Sequence, residues 1–186
     1  MIRVAVIGSE CSGKTTLAGS LAAHYQTVWV PEFARQFVSD QGAAPDYDDV
    51  EAIARGQMAF EDERADEASR VLIQDTDLLS TVVYSRHYYG DCPRWVEGAL
   101  EKRAADLYLL TDIDIPWVPD GEQRDRGDRR EEMHELFRCA LVDRGLAFTE
   151  IRGSPGERLE AAVSLIDRLI SGHAASSRTT ERLLPG

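Results

Sequence analysis

A chain of 186 residues, 43% of them hydrophobic, is long enough to bury one sizeable core and too short for two ordinary domains. Its formal net charge of -12 argues against a surface that collects nucleic acid or anionic lipid, since both need clustered positive charge, so a small-molecule partner is expected. The three cysteines, Cys11, Cys92 and Cys139, show no C-x-x-C spacing, and the four histidines are isolated from one another. Neither a disulfide framework nor a zinc site is indicated, which suits a reducing cytoplasmic setting.

The opening run Ile2 to Ile7 is too short for a signal peptide and reads as a buried strand, so no export is expected. No stretch of roughly 18 uninterrupted apolar residues exists, which argues against a transmembrane helix. Four further apolar runs follow: Thr27 to Val30, Val71 to Gln74, Leu107 to Thr111 and Ala147 to Ile151, each separated from the next by helical patterns. That alternation predicts an α/β fold, a three-layer sandwich around a five-stranded parallel sheet. The acidic stretch from Asp46 to Arg70 predicts a helix or helix pair, largely solvated. Ser154-Pro155-Gly156-Glu157 offers an N-cap, a first-turn proline and a capping-box glutamate, so a last helix is expected there, ending at Gly172. Residues 1–172 are thus expected to form one domain and 173–186 a flexible tail.

Between the first strand and the first helix, Gly8-Ser9-Glu10-Cys11-Ser12-Gly13-Lys14-Thr15 matches G-x-x-x-x-G-K-[ST] in full. Such a loop turns successive N–H groups inward at a helix N-terminus and cradles phosphates. Gly8 through Thr16 are therefore the expected ATP-binding residues, with Lys14 reaching the β and γ phosphates and the Thr15 hydroxyl on Mg²⁺. Acids that follow strands lie at the ligand crevice of an open α/β sheet. Glu32 follows the second strand, and Asp75 and Asp77 follow the third. Phosphoryl transfer needs one carboxylate to organise Mg²⁺ and another to accept the acceptor's proton, so Asp75 is assigned to the metal and Glu32 to the base. Capping of the following helices is the alternative for Glu32 and Asp77. Arg35, three residues beyond Glu32, would share its helical face and help position an acceptor, or form an ordinary surface pair.

Residues 117–130 include the polar run Asp120 to Arg130 with Arg124, Arg126, Arg129 and Arg130, which reads as a lid. Arg124 and Arg126 are expected to neutralise charge during transfer. Trp117, beside that lid, is a candidate for stacking on a planar ring, as are Tyr84, Tyr88, Tyr89 and Trp95, with core packing the competing account.

The ordered set of Gly8 to Leu17, Pro31-Glu32-Phe33-Ala34-Arg35, Ile53-Ala54-Arg55-Gly56-Gln57, Asp75-Thr76-Asp77 and Asp106 to Gly121 resembles the ribosylnicotinamide kinase domain of NadR-type NAD-biosynthesis proteins over most of residues 1–172. The resemblance implies ATP-dependent phosphorylation of nicotinamide riboside, a nucleotide-kinase-like sheet and a pocket in which Glu32, Arg35, Asp77 and Trp117 hold the acceptor. It also implies that the adenylyltransferase and DNA-binding parts of the bifunctional proteins have no room in a chain of this length. The lid departs slightly, with Glu122-Gln123 standing before Arg124. A regulatory GTPase is disfavoured because the chain contains no asparagine and so no N-K-x-D motif. An ATPase module with a protein partner, and a kinase for another nucleoside or a nucleoside monophosphate, are the remaining alternatives.

Overall fold

The structure, a computed structural model, describes residues 1–116 and 129–181, with side chains through His173. In chain order the elements are β1 (Ile2–Ile7), α1 (Lys14–Tyr25), β2 (Trp29–Val30), α2 (Phe33–Gln41), α3 (Val50–Glu67), β3 (Val71–Asp75), α4 (Leu78–Tyr89), α5 (Arg94–Arg103), β4 (Leu107–Thr111), α6 (Arg130–Asp143), β5 (Phe148–Ile151) and α7 (Pro155–Glu181). The five strands pair in parallel in the order β2-β3-β1-β4-β5. The α/β sandwich read from the apolar runs is the observed architecture.

Every residue of β3 and β4 is buried, because helices cover both sheet faces. Alternate side chains divide between two cores. Ala5, Ile7, Tyr108 and Leu110 face α3 to α6, joining Ala54, Leu79, Val96 and Phe137. Val4, Val6, Ile73 and Leu109 face α1 and α7, joining Leu17, Leu21, Ala162 and Ile166. The period of two along each strand thus supplies the three layers.

Three boundaries differ from expectation. β2 is only Trp29–Val30, since the Thr27 amide is spent on Ala22 O at 3.0 Å, closing α1 behind the left-handed Gln26 (φ 51°). The acidic segment forms a single helix, one of its two expected forms, but α3 covers only Val50–Glu67 of it, with a buried stripe of Val50, Ile53, Ala54, Gln57 and Glu61 under its charged face. The last helix does not stop at Gly172. It runs on to Glu181, since one glycine costs a helix only about 1 kcal/mol against alanine. The backbone of 173–181 is therefore helical where a flexible tail was expected. At its start the capping box forms as read, with Ser154 N donating to Glu157 Oε2 at 2.8 Å and Glu157 N to Ser154 Oγ at 3.4 Å. Among the described residues no helix is long and apolar enough to cross a membrane, and the three cysteines are free thiols.

Candidate active site

All five strands point the same way, so their carboxyl ends open on one edge, with β1 central. The phosphate loop leaves β1 there. Gly8 holds φ +142°, and a Cβ on it would come 2.5 Å from Thr111 Oγ1, so only glycine lets the loop pass against β4. Thr111 Oγ1 donates to Ile7 O at 3.1 Å and shares a 2.6 Å hydrogen bond with Ser12 Oγ, pinning the loop to the neighbouring strand. Gly13 (φ +83°) turns the chain into α1. Lys14 is buried, with its ammonium donating to Ser9 O at 2.8 Å, inside the curl of the loop.

Around this cradle the structure gathers three of the acids and arginines read from the sequence. Asp75 is buried at the end of β3, with its carboxylate accepting from the Thr15 hydroxyl and its Oδ1 without a hydrogen-bond partner among the described residues. Burial raises its pKa, against the opposing pull of the Thr15 hydroxyl, Lys14 and Arg35. Glu32, whose side chain is 21% exposed, stands close enough to Asp75 and Lys14 for both charges to act on it. Burial raises its pKa, Lys14 lowers it, Asp75 adds a further rise and Arg35 opposes. Arg35 Nε lies 3.6 Å from Glu32 Oε2, the i,i+3 pair expected from their spacing.

The capping alternative separates the two remaining acids. Glu32 occupies the N-cap of α2 but makes no capping hydrogen bond. Instead Gln57 of α3 reaches across, and its Oε1 accepts from Phe33 N at 2.9 Å. Phe33 can approach because Gly56 has no side chain: a Cβ there would lie 2.2 Å from the Phe33 ring. The glycine and glutamine of the Arg55-Gly56-Gln57 segment thus cap α2 from outside and leave the Glu32 carboxylate out of the cap. Asp77, expected to bind the acceptor, has both oxygens engaged within the fold. Oδ1 accepts from Leu79 N at 3.0 Å, capping α4, and Oδ2 accepts from Tyr108 OH at 2.7 Å. Burial raises its pKa to about 6. The geometry therefore shows the helix cap that was the alternative reading of Asp77. Between the two aspartates Thr76 sits at φ 68°, a strained conformation for a β-branched residue, which turns Asp75 toward the cradle and Asp77 toward α4.

Trp117, Arg124 and Arg126 lie outside the described residues, as does most of the expected lid. Of the other aromatics, Tyr84 and Tyr88 stack with centroids 6.0 Å apart, Tyr84 meets Phe137 edge-on, and Tyr89 donates to Pro45 O at 2.7 Å. Trp95 lies against the α3–α6 core with the Arg55 guanidinium 4.3 Å from its ring centroid. Two arginines, Arg130 and Arg158, are buried against the outer side of the phosphate loop. Arg130, read from the sequence as part of the lid, is instead the first residue of α6, and Arg158 was not singled out because an arginine in a helix reads as a solvated charge. Beside the loop, Gly13, Thr16, Leu17, Ile115 and Pro155 line a small, largely apolar cleft, with Ser20 and Arg158 as its polar members.

Residues 3–158 match a family model described as an AAA domain. The chain belongs to this AAA domain family. Within it, the NadR resemblance drawn from the motifs is borne out by similarity along the chain. The Trifunctional NAD biosynthesis/regulator protein NadR of Escherichia coli (strain K12) is 31% identical over 154 residues, 80% of this chain and 37% of that protein. Its namesake in Salmonella typhimurium (strain LT2) is 34% identical over 122 residues, 63% and 30% respectively. The match to this chain thus spans about a third of the length of these relatives. Among solved structures, NadR protein in complex with NR superposes with a TM-score of 0.72 at 22% identity, covering 90% of this chain and 50% of that one. Thymidylate kinase from Ehrlichia chaffeensis gives 0.65 at 13% identity, covering 89% and 98%. These likenesses show the shared fold.

Proposed function

We propose that this chain is a cytoplasmic ATP-dependent kinase that phosphorylates a small molecule, nicotinamide riboside, to its mononucleotide. The observation that carries the reading is the Glu32 carboxylate: uncapped, raised in pKa, and set with Asp75 and Lys14 at the mouth of a complete phosphate cradle. A carboxylate so placed can take a proton from an acceptor's hydroxyl or from water, and the similarity to the NadR proteins favours the acceptor. Similarity to the NadR proteins, one of which was crystallised with NR and another with NAD and AMP-PNP, supports the acceptor and the nucleotide. The partners are then ATP and the acceptor, with no nucleic acid or membrane.

In this reading the loop amides and Lys14 hold the triphosphate, with Lys14 moving from Ser9 O to the phosphate oxygens. The apolar cleft beside Thr16 receives the nucleoside end of ATP. Glu32 orients the acceptor's hydroxyl and takes its proton, and Arg35 holds Glu32 and the acceptor in register. The hydroxyl oxygen bonds to the γ phosphorus, the bond from that phosphorus to the β-phosphate oxygen breaks, and ADP leaves with the electron pair. Mg²⁺ fits the residues present: the Thr15 hydroxyl adjoins a buried carboxylate whose Oδ1 has no protein partner, and both are hard oxygen donors. Bound there, it would offset charge on the phosphates. Arg124, Arg126 and Trp117 complete the proposal, the arginines as charge neutralisers and the tryptophan as a stacking surface.

The reading is tested by incubating the protein with ATP, Mg²⁺ and a panel of nucleosides and nucleoside monophosphates, and identifying products by mass spectrometry. Nicotinamide riboside should gain one phosphate, and Lys14→Ala should make no product while keeping its fold. Phosphorylation of another acceptor alone would move the substrate, and product from Lys14→Ala would remove the site.

A further inference from the structure

Two buried arginines grip the phosphate loop from outside. Arg158, 3% exposed near the start of α7, donates from Nη1 to Ser12 O at 2.6 Å, from Nη2 to Asp112 O at 2.9 Å and from Nε to Gly153 O at 2.9 Å, and it also pairs with the Asp114 carboxylate. Arg130, the first residue of α6, donates from Nη1 to Ile115 O at 3.0 Å and from Nη2 to Cys11 O at 3.3 Å. Burying a guanidinium is costly unless its donors are satisfied, and here they are spent mainly on backbone carbonyls of loops, with Arg130 Nε left without a partner among the described residues. A rigid fork of donors can hold several carbonyls at once, which a lysine ammonium cannot do with the same geometry.

The consequence lies in the peptide plane. In a trans peptide the carbonyl of one residue and the N–H of the next point in opposite directions. Drawing the Cys11 and Ser12 carbonyls out toward the arginines therefore aims the Ser12 and Gly13 N–H groups the other way, into the cradle. These are the donors an incoming phosphate needs at the N-terminus of α1. The same guanidiniums tie Asp112, Asp114 and Ile115 to the loop, just before residues 117–128, while Arg130 itself follows them.

We propose that Arg130 and Arg158 are positioning residues that preset the Ser12 and Gly13 amides for phosphate, acting on the phosphate groups through the loop. This rests on the phosphate-site reading and is independent of the acceptor.

The test is calorimetric titration of inorganic tripolyphosphate into the wild-type protein and Arg158→Lys, with amide hydrogen exchange on both. Replacing a planar fork of three donor nitrogens by a single ammonium nitrogen should raise the Kd for tripolyphosphate about tenfold or more. Exchange should quicken at Ser12 and Gly13 while strand protection stays unchanged, which a merely structural arginine would not produce. Asp114→Asn, which keeps the guanidinium and removes its anionic anchor, should shift the Kd in the same direction by a smaller factor, and it carries the test should Arg158→Lys fail to fold. Unchanged tripolyphosphate affinity in either folded variant would overturn the proposal, as would protection lost evenly across the sheet. Wild-type protein that binds tripolyphosphate but phosphorylates no nicotinamide riboside would remove the substrate reading and leave the clamp standing.

Discussion

Glu32 and Asp77 are both acids at helix starts just after strands, and local sequence cannot tell them apart. What separates them is who caps the helix. Gln57 caps α2 from α3, so Glu32 is spared, whereas Asp77 caps α4 itself and is locked by Tyr108. The difference depends on partners more than twenty residues away, which is why the sequence left both alternatives open. Glu32→Gln should lower kcat by about a hundredfold or more while changing the Kd for ATP little, read from initial rates and nucleotide titration. The pH dependence has a definite sign. Burial holds the Glu32 pKa above the ordinary carboxylate range, and the base must be ionised, so kcat should fall as pH drops through that raised value. A profile flat down to pH 4 would place the base elsewhere.

At the scale of elements, α2 buries none of its residues fully and is held by Phe33 against α3. Phe33 meets Phe60 edge to face at 5.1 Å and occupies the space above Gly56. Gly56→Ala forces the ring aside, so α2 should shift with Glu32 on it. A loss of about 1–3 kcal/mol in denaturant unfolding and a drop in kcat greater than that for a surface alanine on the same helix are expected. Wild-type turnover in that variant would show that the seat of Phe33 does not position the base. The strands were legible because continuous apolar runs with helices between them have one stable solution, a doubly covered parallel sheet. Ends were less legible, since the Thr27 amide is diverted to α1 and one glycine is too weak to stop α7.

Across the whole molecule, charge lies both on the surface and inside. Glu61, 1% exposed, is held by Arg103 at 3.0 Å and Arg3 at 3.8 Å, yet burial and then the charge of Asp77 raise its pKa from 4.5 to about 7, with the arginines opposing. A carboxyl with a raised folded pKa stabilises most below its unfolded value and loses that contribution as pH rises through the folded one. Wild-type Tm should therefore fall between pH 5 and pH 8, and Glu61→Gln should flatten that fall. The free-energy change across the window is about 3 kcal/mol at most. Equal slopes for the two proteins would discount Glu61. In the sequence this residue was one more charge on an acidic helix, and only the register of α3 against β1 and α5 buries it. The phosphate cradle was legible because its spacing encodes backbone geometry, but the placement of Arg130 and Arg158 behind it belongs to the tertiary structure alone.

The central claim is that this fold transfers phosphate to a bound acceptor, and the most direct measurement is the rate of ADP release from ATP with and without nicotinamide riboside. The account predicts slow release alone and a rise of at least about tenfold with the acceptor, abolished in Glu32→Gln. ADP release indifferent to the acceptor and preserved in Glu32→Gln would contradict it.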